Sequence, residues 1–198
     1  MADLLYGPDG PTESDIRLVG AVAGKRVLDL GCGDGAAAVT LAQQGAVVIA
    51  VDASEARLQR ASRRAEELEV RLEWRPSDLA DLAFLRADSI DVVFSAYAVD
   101  TVGDQARLFR QVQRVLKPNA AFVFSHAHPA AIARDYFDTS VVTTTRFDEA
   151  VTVYPRPFGE TFTDLARAGF RVDALLEPRS PAGANPTTVV WRARKEGS

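Results

Sequence analysis

The 198-residue chain is short of several things, and each shortage excludes a class of protein. It has one cysteine, so an intramolecular disulfide is impossible and a reducing, cytoplasmic setting is expected. It has two histidines, too few to build a metal centre without a cysteine cluster or an H-E-x-x-H helix, and neither pattern occurs, so no metal is expected. No apolar run approaches the roughly 18 residues needed to cross a bilayer, and no basic n-region precedes an apolar h-region at the start. Membrane insertion and export are therefore not expected. Net charge is −4 with no basic stripe, which argues against a nucleic-acid partner. With 47% hydrophobic and 25% charged residues, one domain over 1–198 with a single substantial core is expected.

What is present centres on Val27 to Asp52, VLDLGCGDGAAAVTLAQQGAVVIAVD. Val27, Leu28 and Leu30 suit a strand buried on both faces. Gly31, Gly33 and Gly35 follow at alternate positions, where the lack of a Cβ permits a sharp turn and close approach of a ligand. An alanine-rich helix ends near Gly45, and Val47 to Val51 form a second strand with Asp52 at its carboxyl end. This is the first βαβ unit of a doubly wound sheet with a nucleotide-type site at the strand ends.

Gly31, Gly33 and Ala36 satisfy a dinucleotide G-x-G-x-x-A fingerprint, and Asp52 stands at the distance where an acidic residue meets a ribose hydroxyl. Those features alone leave the cofactor open. Asp29 separates the readings: a carboxylate two residues before the first glycine repels a pyrophosphate and attracts a sulfonium amino acid with its ammonium group. The run Asp29-x-Gly31-x-Gly33-x-Gly35 resembles motif I of the class I S-adenosylmethionine-dependent methyltransferases. Alternatives are a nicotinamide-dependent oxidoreductase and a non-catalytic Rossmann-like protein that binds S-adenosylmethionine.

The resemblance implies an α/β fold: a Rossmann-like, doubly wound seven-stranded sheet, mostly parallel with an antiparallel last strand, and helices on both faces. It implies S-adenosylmethionine as cofactor, S-adenosylhomocysteine as product, and a small-molecule methyl acceptor, for a monomer or homodimer. Candidate cofactor-binding residues are Asp29, Gly31, Cys32, Gly33, Gly35, Asp52, Ala53, Asp78, Leu79 and Ser95. Asp52 is expected to accept from the ribose hydroxyls, or alternatively to cap the helix after Ser54. By position, Asp78 would read the adenine amine and the Leu79 amide a ring nitrogen, while Asp78 also suits the N-cap of a short Ala80–Leu85 helix. Cys32 reads as a small packing residue of the turn rather than a nucleophile.

Further elements follow in order. A capped helix is expected from Thr12 or Ser14 to about Val22, with residues 1–22 forming a flap whose Tyr6 covers the site. Helices are expected from Ser54 to Leu68 and Gln105 to Leu116, and strands at Val70–Trp74, Ile90–Ser95 and Ala121–Ser125. Ser95 would meet the methionine end of the donor, and Tyr97 would line the transfer channel or pack its loop. His126 and His128 read as a general base or as hydrogen-bonded structural groups. Residues 127–157 break the strand–helix alternation, with a short helix from Ala130 to Tyr136 and a hairpin over 141–154 that would roof the site. Tyr136, Phe147, Tyr154 and Arg156 are candidate substrate contacts there, or members of a cluster holding the hairpin down. A helix from Phe158 to Ala168 and strands at Phe170–Leu176 and Thr187–Arg194 complete the chain. The direct link between those strands implies an antiparallel pair.

Overall fold

A computed structural model describes residues 3–8, 10–133, 135–146, 149–180, 183 and 185–197. In chain order the elements are α1 (Glu13–Ile16), β1 (Arg26–Leu30), α2 (Ala36–Gln43), β2 (Val47–Asp52), α3 (Glu55–Glu67), β3 (Glu73–Pro76), β4 (Ile90–Ala96), α4 (Gln105–Val115), β5 (Leu116–Ala127), α5 (Pro129–Ile132), β6 (Val142–Arg146), β7 (Glu149–Val153), α6 (Phe158–Arg167), β8 (Phe170–Leu176) and β9 (Thr188–Lys195). A 3₁₀ turn over Val99–Thr101 lies between β4 and α4.

Seven strands form one sheet in the order β3-β2-β1-β4-β5-β9-β8. β9 is antiparallel to both β5 and β8, while the pairs from β3 to β5 are parallel. The reversed last strand expected from the short β8–β9 link is therefore present, one place in from the edge. Chain order reverses between β1 and β4, which makes the carboxyl ends there the crevice of a doubly wound sheet.

The parallel strands are buried on both faces because their alternate side chains feed two cores. Val27, Val48 and Ala50 enter one apolar cluster, with Leu41 of α2 and Leu58 of α3. Leu28, Leu30, Ile49 and Val51 enter the other, with Leu108 and Phe109 of α4 and Leu165 of α6. Burying each such aliphatic side chain contributes about 1.5–3 kcal/mol. No helix among the described residues is long and apolar enough to cross a membrane.

Several local expectations are corrected. The first helix stops after one turn, because Arg17 takes a left-handed φ of 50°. The Glu13 carboxylate then gathers the N–H groups of Leu18 (3.1 Å), Val19 (3.0 Å) and Gly20 (2.8 Å) with the Tyr6 hydroxyl (2.5 Å). Those donors satisfy the carboxylate better than a continued helix would. Ala80–Leu85 is turn rather than helix. The third strand is shifted to Glu73–Pro76 by its parallel register, Ile49 opposite Glu73. β5 begins at Leu116, because the chain rejoins the sheet through an irregularity: Ile90 pairs with Leu116, but Val92 with Ala121. Asn119 absorbs the surplus residues with a φ of 63°. The expected hairpin forms as a separate two-stranded sheet of β6 and β7.

Candidate functional site

The turn after β1 is set by its three glycines, each with positive φ: 78° at Gly31, 55° at Gly33 and 81° at Gly35. Their roles differ. A Cβ at Gly31 would lie 2.2 Å from the Cβ of Ala98, so only glycine lets the β4 loop approach. A Cβ at Gly35 would lie 2.7 Å from that of Ala61, so this residue serves the packing of α2 on α3. Gly33 faces open space, with no atom within 4 Å of the added carbon. Of the three, Gly31 and Gly33 line the cleft and Gly35 does not.

Asp29 and Asp52 converge on this turn. The Asp52 carboxylate accepts from the Gly33 N–H and the Ser54 N–H, both at 2.9 Å, so it ties the turn to the start of α3. Asp29 is 1% exposed, and its Oδ2 has no hydrogen-bond partner among the described residues. Burial, reinforced by the nearby Asp52 charge and opposed by the Ala38 backbone N–H, pushes its carboxyl up to about 7. A buried carboxylate oxygen left unpaired is costly in a finished structure, and marks a place where a donor or cation belongs.

Both carboxylates open into a cavity of about 1000 Å³, at the top of the range of about 300–1,000 Å³ for small-molecule sites. Cys32, Ala53, Asp78 and Leu79 share its wall. The Cys32 thiol is pushed up by burial and by the Asp29 and Asp52 charges, so it is an inert packing group. Asp78 accepts from the Ala80 N–H at 2.7 Å, an Asx-type turn in place of the expected helix cap. Ser95 does not reach the cavity. It is fully buried and donates to the Leu30 carbonyl at 2.7 Å, and Ala96 and Tyr97 take the wall position instead.

A family profile described as "Methyltransferase domain" matches residues 28–124, the stretch from β1 to β5 that supplies most of this cavity's wall. A solved candidate S-adenosylmethionine-dependent methyltransferase from Listeria monocytogenes superposes with TM-score 0.78 and 25% identity, over 91% of this chain and 95% of that one. A second, a S-adenosylmethionine-dependent methyltransferase from Mesorhizobium loti, gives TM-score 0.74 and 27% identity, over 90% and 94%.

The methyltransferase-domain match and these two neighbours support a class I S-adenosylmethionine-dependent methyltransferase.

Among curated relatives, a ubiquinone biosynthesis O-methyltransferase of Hahella chejuensis is 38% identical over 105 residues, 53% of this chain and 44% of that protein. The match thus spans less than half the length of that relative. The oxidoreductase alternative is not favoured by any of these likenesses.

Beyond residues 28–124, the chain departs from the sequence expectations for its substrate side. Tyr97 does line the cavity, in a left-handed conformation with φ 57°. Its hydroxyl is hydrogen-bonded to the Thr188 hydroxyl, and Arg146 lies 5.0 Å from its ring centroid while donating to its carbonyl at 3.1 Å. Tyr97 therefore offers the cavity an aromatic wall rather than a base.

Neither histidine lines the large cavity. Antiparallel pairing with Val189 places His126 beneath Trp191, whose Nε1–H donates to His126 Nε2 at 3.1 Å. That leaves Nδ1 to carry the proton toward the Ala127 carbonyl, 2.9 Å away. Burial holds the ring below its ordinary range, and so neutral. His128 caps α5 through Nδ1, which accepts from the Ala130 N–H at 3.1 Å, and its Nε2 lies 2.8 Å from Glu177. The structural reading of both rings replaces the catalytic one.

The aromatic candidates are similarly redistributed. Tyr6 is fully buried, edge-on to Phe94 at 5.5 Å, and its neighbours Asp3, Leu5, Gly7 and Pro8 line the cavity in its place. The Tyr136 hydroxyl accepts from the Phe158 N–H at 2.8 Å, outside the cavity. Arg156 spends its donors on the carbonyls of Val102 and Gly103. Tyr154 reaches the wall, and Phe147 lies outside the described residues.

Two contacts escaped the sequence reading. Asp100 (3% exposed) and Arg146 (8% exposed) form a buried bidentate pair, Nη1–Oδ1 2.7 Å and Nη2–Oδ2 2.5 Å, joining the β4 loop to the hairpin. Glu149 takes the guanidinium groups of Arg57 and Arg60. No local pattern announces either, because the partners stand 46 and 92 residues apart. Among the described residues no group of His, Cys, Asp and Glu is arranged to hold a metal ion.

Proposed function

We propose that the protein binds S-adenosylmethionine at the carboxyl ends of β1, β2 and β4 and moves its methyl group to a small-molecule acceptor beneath the β6–β7 hairpin. The observation that carries this reading is Asp29: a buried carboxylate with an orphaned oxygen, opening into the cleft beside a glycine turn. It suits the cationic amino-acid end of a sulfonium donor and opposes a pyrophosphate. The donor supplies a methyl on a positively charged sulfur, which an acceptor lone pair takes as the C–S bond breaks and its electrons return to sulfur.

The chain's own residues bind and orient. Asp29 attracts the ammonium group, directly or through water. Gly31, Cys32 and Gly33 let the donor lie against the backbone. Asp52, with Ala53 beside it, receives the ribose hydroxyls while holding the turn through Gly33. Asp78 and Leu79 meet the adenine. Tyr97 walls the transfer channel with an aromatic face, favourable beside a sulfonium by about 0.5–2 kcal/mol. Alignment of donor and acceptor then supplies most of the acceleration. The cavity is large enough for both molecules. The name of the Hahella chejuensis relative supports an oxygen as the methylated atom. The single cysteine fits a cytoplasmic setting, and the net charge of −4 fits an enzyme acting without nucleic acid.

Calorimetric titration with S-adenosylhomocysteine, with NADH run in parallel, tests the donor assignment. Binding of the thioether alone is expected. Binding of NADH alone would overturn it. A screen of hydroxylated small molecules with methyl-labelled donor then tests catalysis.

A further inference from the structure

At the carboxyl end of β7 the Tyr154 N–H donates to the Asp100 carbonyl at 2.8 Å, and the opposite end of the hairpin is fastened by two side-chain sets of different strength, on opposite sides of the glycine turn. Arg146, the last residue of β6, is held in the buried pair with Asp100, beyond the carboxyl end of β4. Glu149, the first residue of β7 and the register partner of Arg146, is held by Arg57 and Arg60 on α3, which follows β2. In the sheet β1 lies between β2 and β4. The register pair Arg146 and Glu149 is thus tied to both flanks of β1, and Arg146, Glu149, Asp29 and Asp52 all face one cavity.

The two fastenings are unequal. The Asp100–Arg146 side chains are 5% and 7% exposed, whereas Glu149 is 41% exposed, Arg57 31% and Arg60 50%. Solvent and salt screen the second set and leave the first almost untouched. Arg57 also reaches past Glu149 toward the donor side, with Nη1 4.0 Å from Asp52 Oδ1.

We propose that Glu149, Arg57 and Arg60 form a releasable clasp that closes the hairpin over the donor cleft, with Asp100–Arg146 as its fixed pivot, so that Glu149 is a positioning residue that sets donor residence time. The proposal rests on the donor assignment above. Opening the clasp frees the Glu149 end of β7, while its Val153–Tyr154 end stays anchored to Asp100; closing it confines the donor between the hairpin and Asp52. The chemistry needs no other group, since a carboxylate and two guanidinium ions supply both the attraction and its salt dependence.

Stopped-flow displacement of S-adenosylhomocysteine from the protein measures the release rate. Glu149→Gln should raise it about three- to tenfold, the scale of one or two partly exposed ion pairs. Release from the unaltered protein should quicken between 50 mM and 500 mM salt and release from Glu149→Gln should not. The exchanged pair Glu149→Arg with Arg60→Glu should recover part of the slow release, a result a merely misfolded hairpin would not give. Equal release rates in the unaltered and Glu149→Gln proteins, or equal salt dependence, would overturn the clasp. Failure of the unaltered protein to bind the thioether would overturn the donor assignment instead, so the two ideas fail separately.

Discussion

The donor half of the cleft and its roof are built by different means. Around β1 and β2 the critical groups come from one continuous stretch, Asp29 to Asp52, and their geometry is fixed by backbone: positive φ at the glycines and the Asp52 carboxylate on the Gly33 N–H. The roof is assembled from side chains far apart in sequence, Asp100 with Arg146 and Glu149 with Arg57. A site made of backbone is stiff and survives many surrounding changes. A site made of distant ion pairs can be adjusted, or broken, one residue at a time.

The sharpest way to break that contrast is Asp100→Ala. It leaves Arg146 buried without its carboxylate and should cost about 3–5 kcal/mol in chemical denaturation. If the loss were below about 1 kcal/mol, the roof would not depend on this pair.

On the donor side, Gly31→Ala forces a left-handed alanine against Ala98 and should cost about 1–3 kcal/mol, with donor affinity falling as well. Gly33→Ala meets no neighbour, so it should weaken donor binding more than it weakens the fold. Equal effects of the two substitutions on stability would show that the turn is not held as described. Asp52→Ala should lower donor affinity by about 1–3 kcal/mol in a calorimetric titration.

Protonation of Asp29 gives a subtler test. Its folded carboxyl, pushed up to about 7 by burial, holds a proton at pH values where the unfolded chain, near 3.8, has lost it. Stability therefore declines as pH rises from about 4 through 7, and Asp29→Asn should flatten that decline in denaturation curves at pH 5 and 8. Donor affinity should move oppositely, rising with pH across 7 in the unaltered protein, because the donor's ammonium group favours the ionised carboxylate. The smallest effect belongs to His128→Ala, about 1 kcal/mol for the lost cap of α5, with donor affinity unchanged. A large loss of methyl transfer in that variant would return His128 to the catalytic list.

Legibility from sequence divides along the same line. The antiparallel last pair followed from the helix-free link between the last two strands, and the seven-stranded sheet from the resemblance carried by the glycine turn. The glycine turn and the aspartates beside it followed from spacing within 24 residues, because a glycine or a strand-end aspartate carries its meaning locally. The histidines stayed open between a base and a structural role because their surroundings come from Trp191 and Glu177, which no window around His126 contains. Tyr6 read as a flap residue because nothing near it shows that Glu13 will claim its hydroxyl. The roof pairs were invisible for the same reason.

The place of β9 has a consequence in time as well as in space. β8 is synthesised before β9 yet touches the sheet only through it, since β9 lies between β8 and β5. While the chain is being made, β1 to β4 can pair among themselves as soon as they emerge, whereas β8 must wait for a strand not yet translated. The donor half is thus able to fold early, and one edge of β5 stays unpaired until Thr188–Lys195 arrives. In a growing polypeptide that edge is the segment most open to pairing with a neighbouring nascent chain.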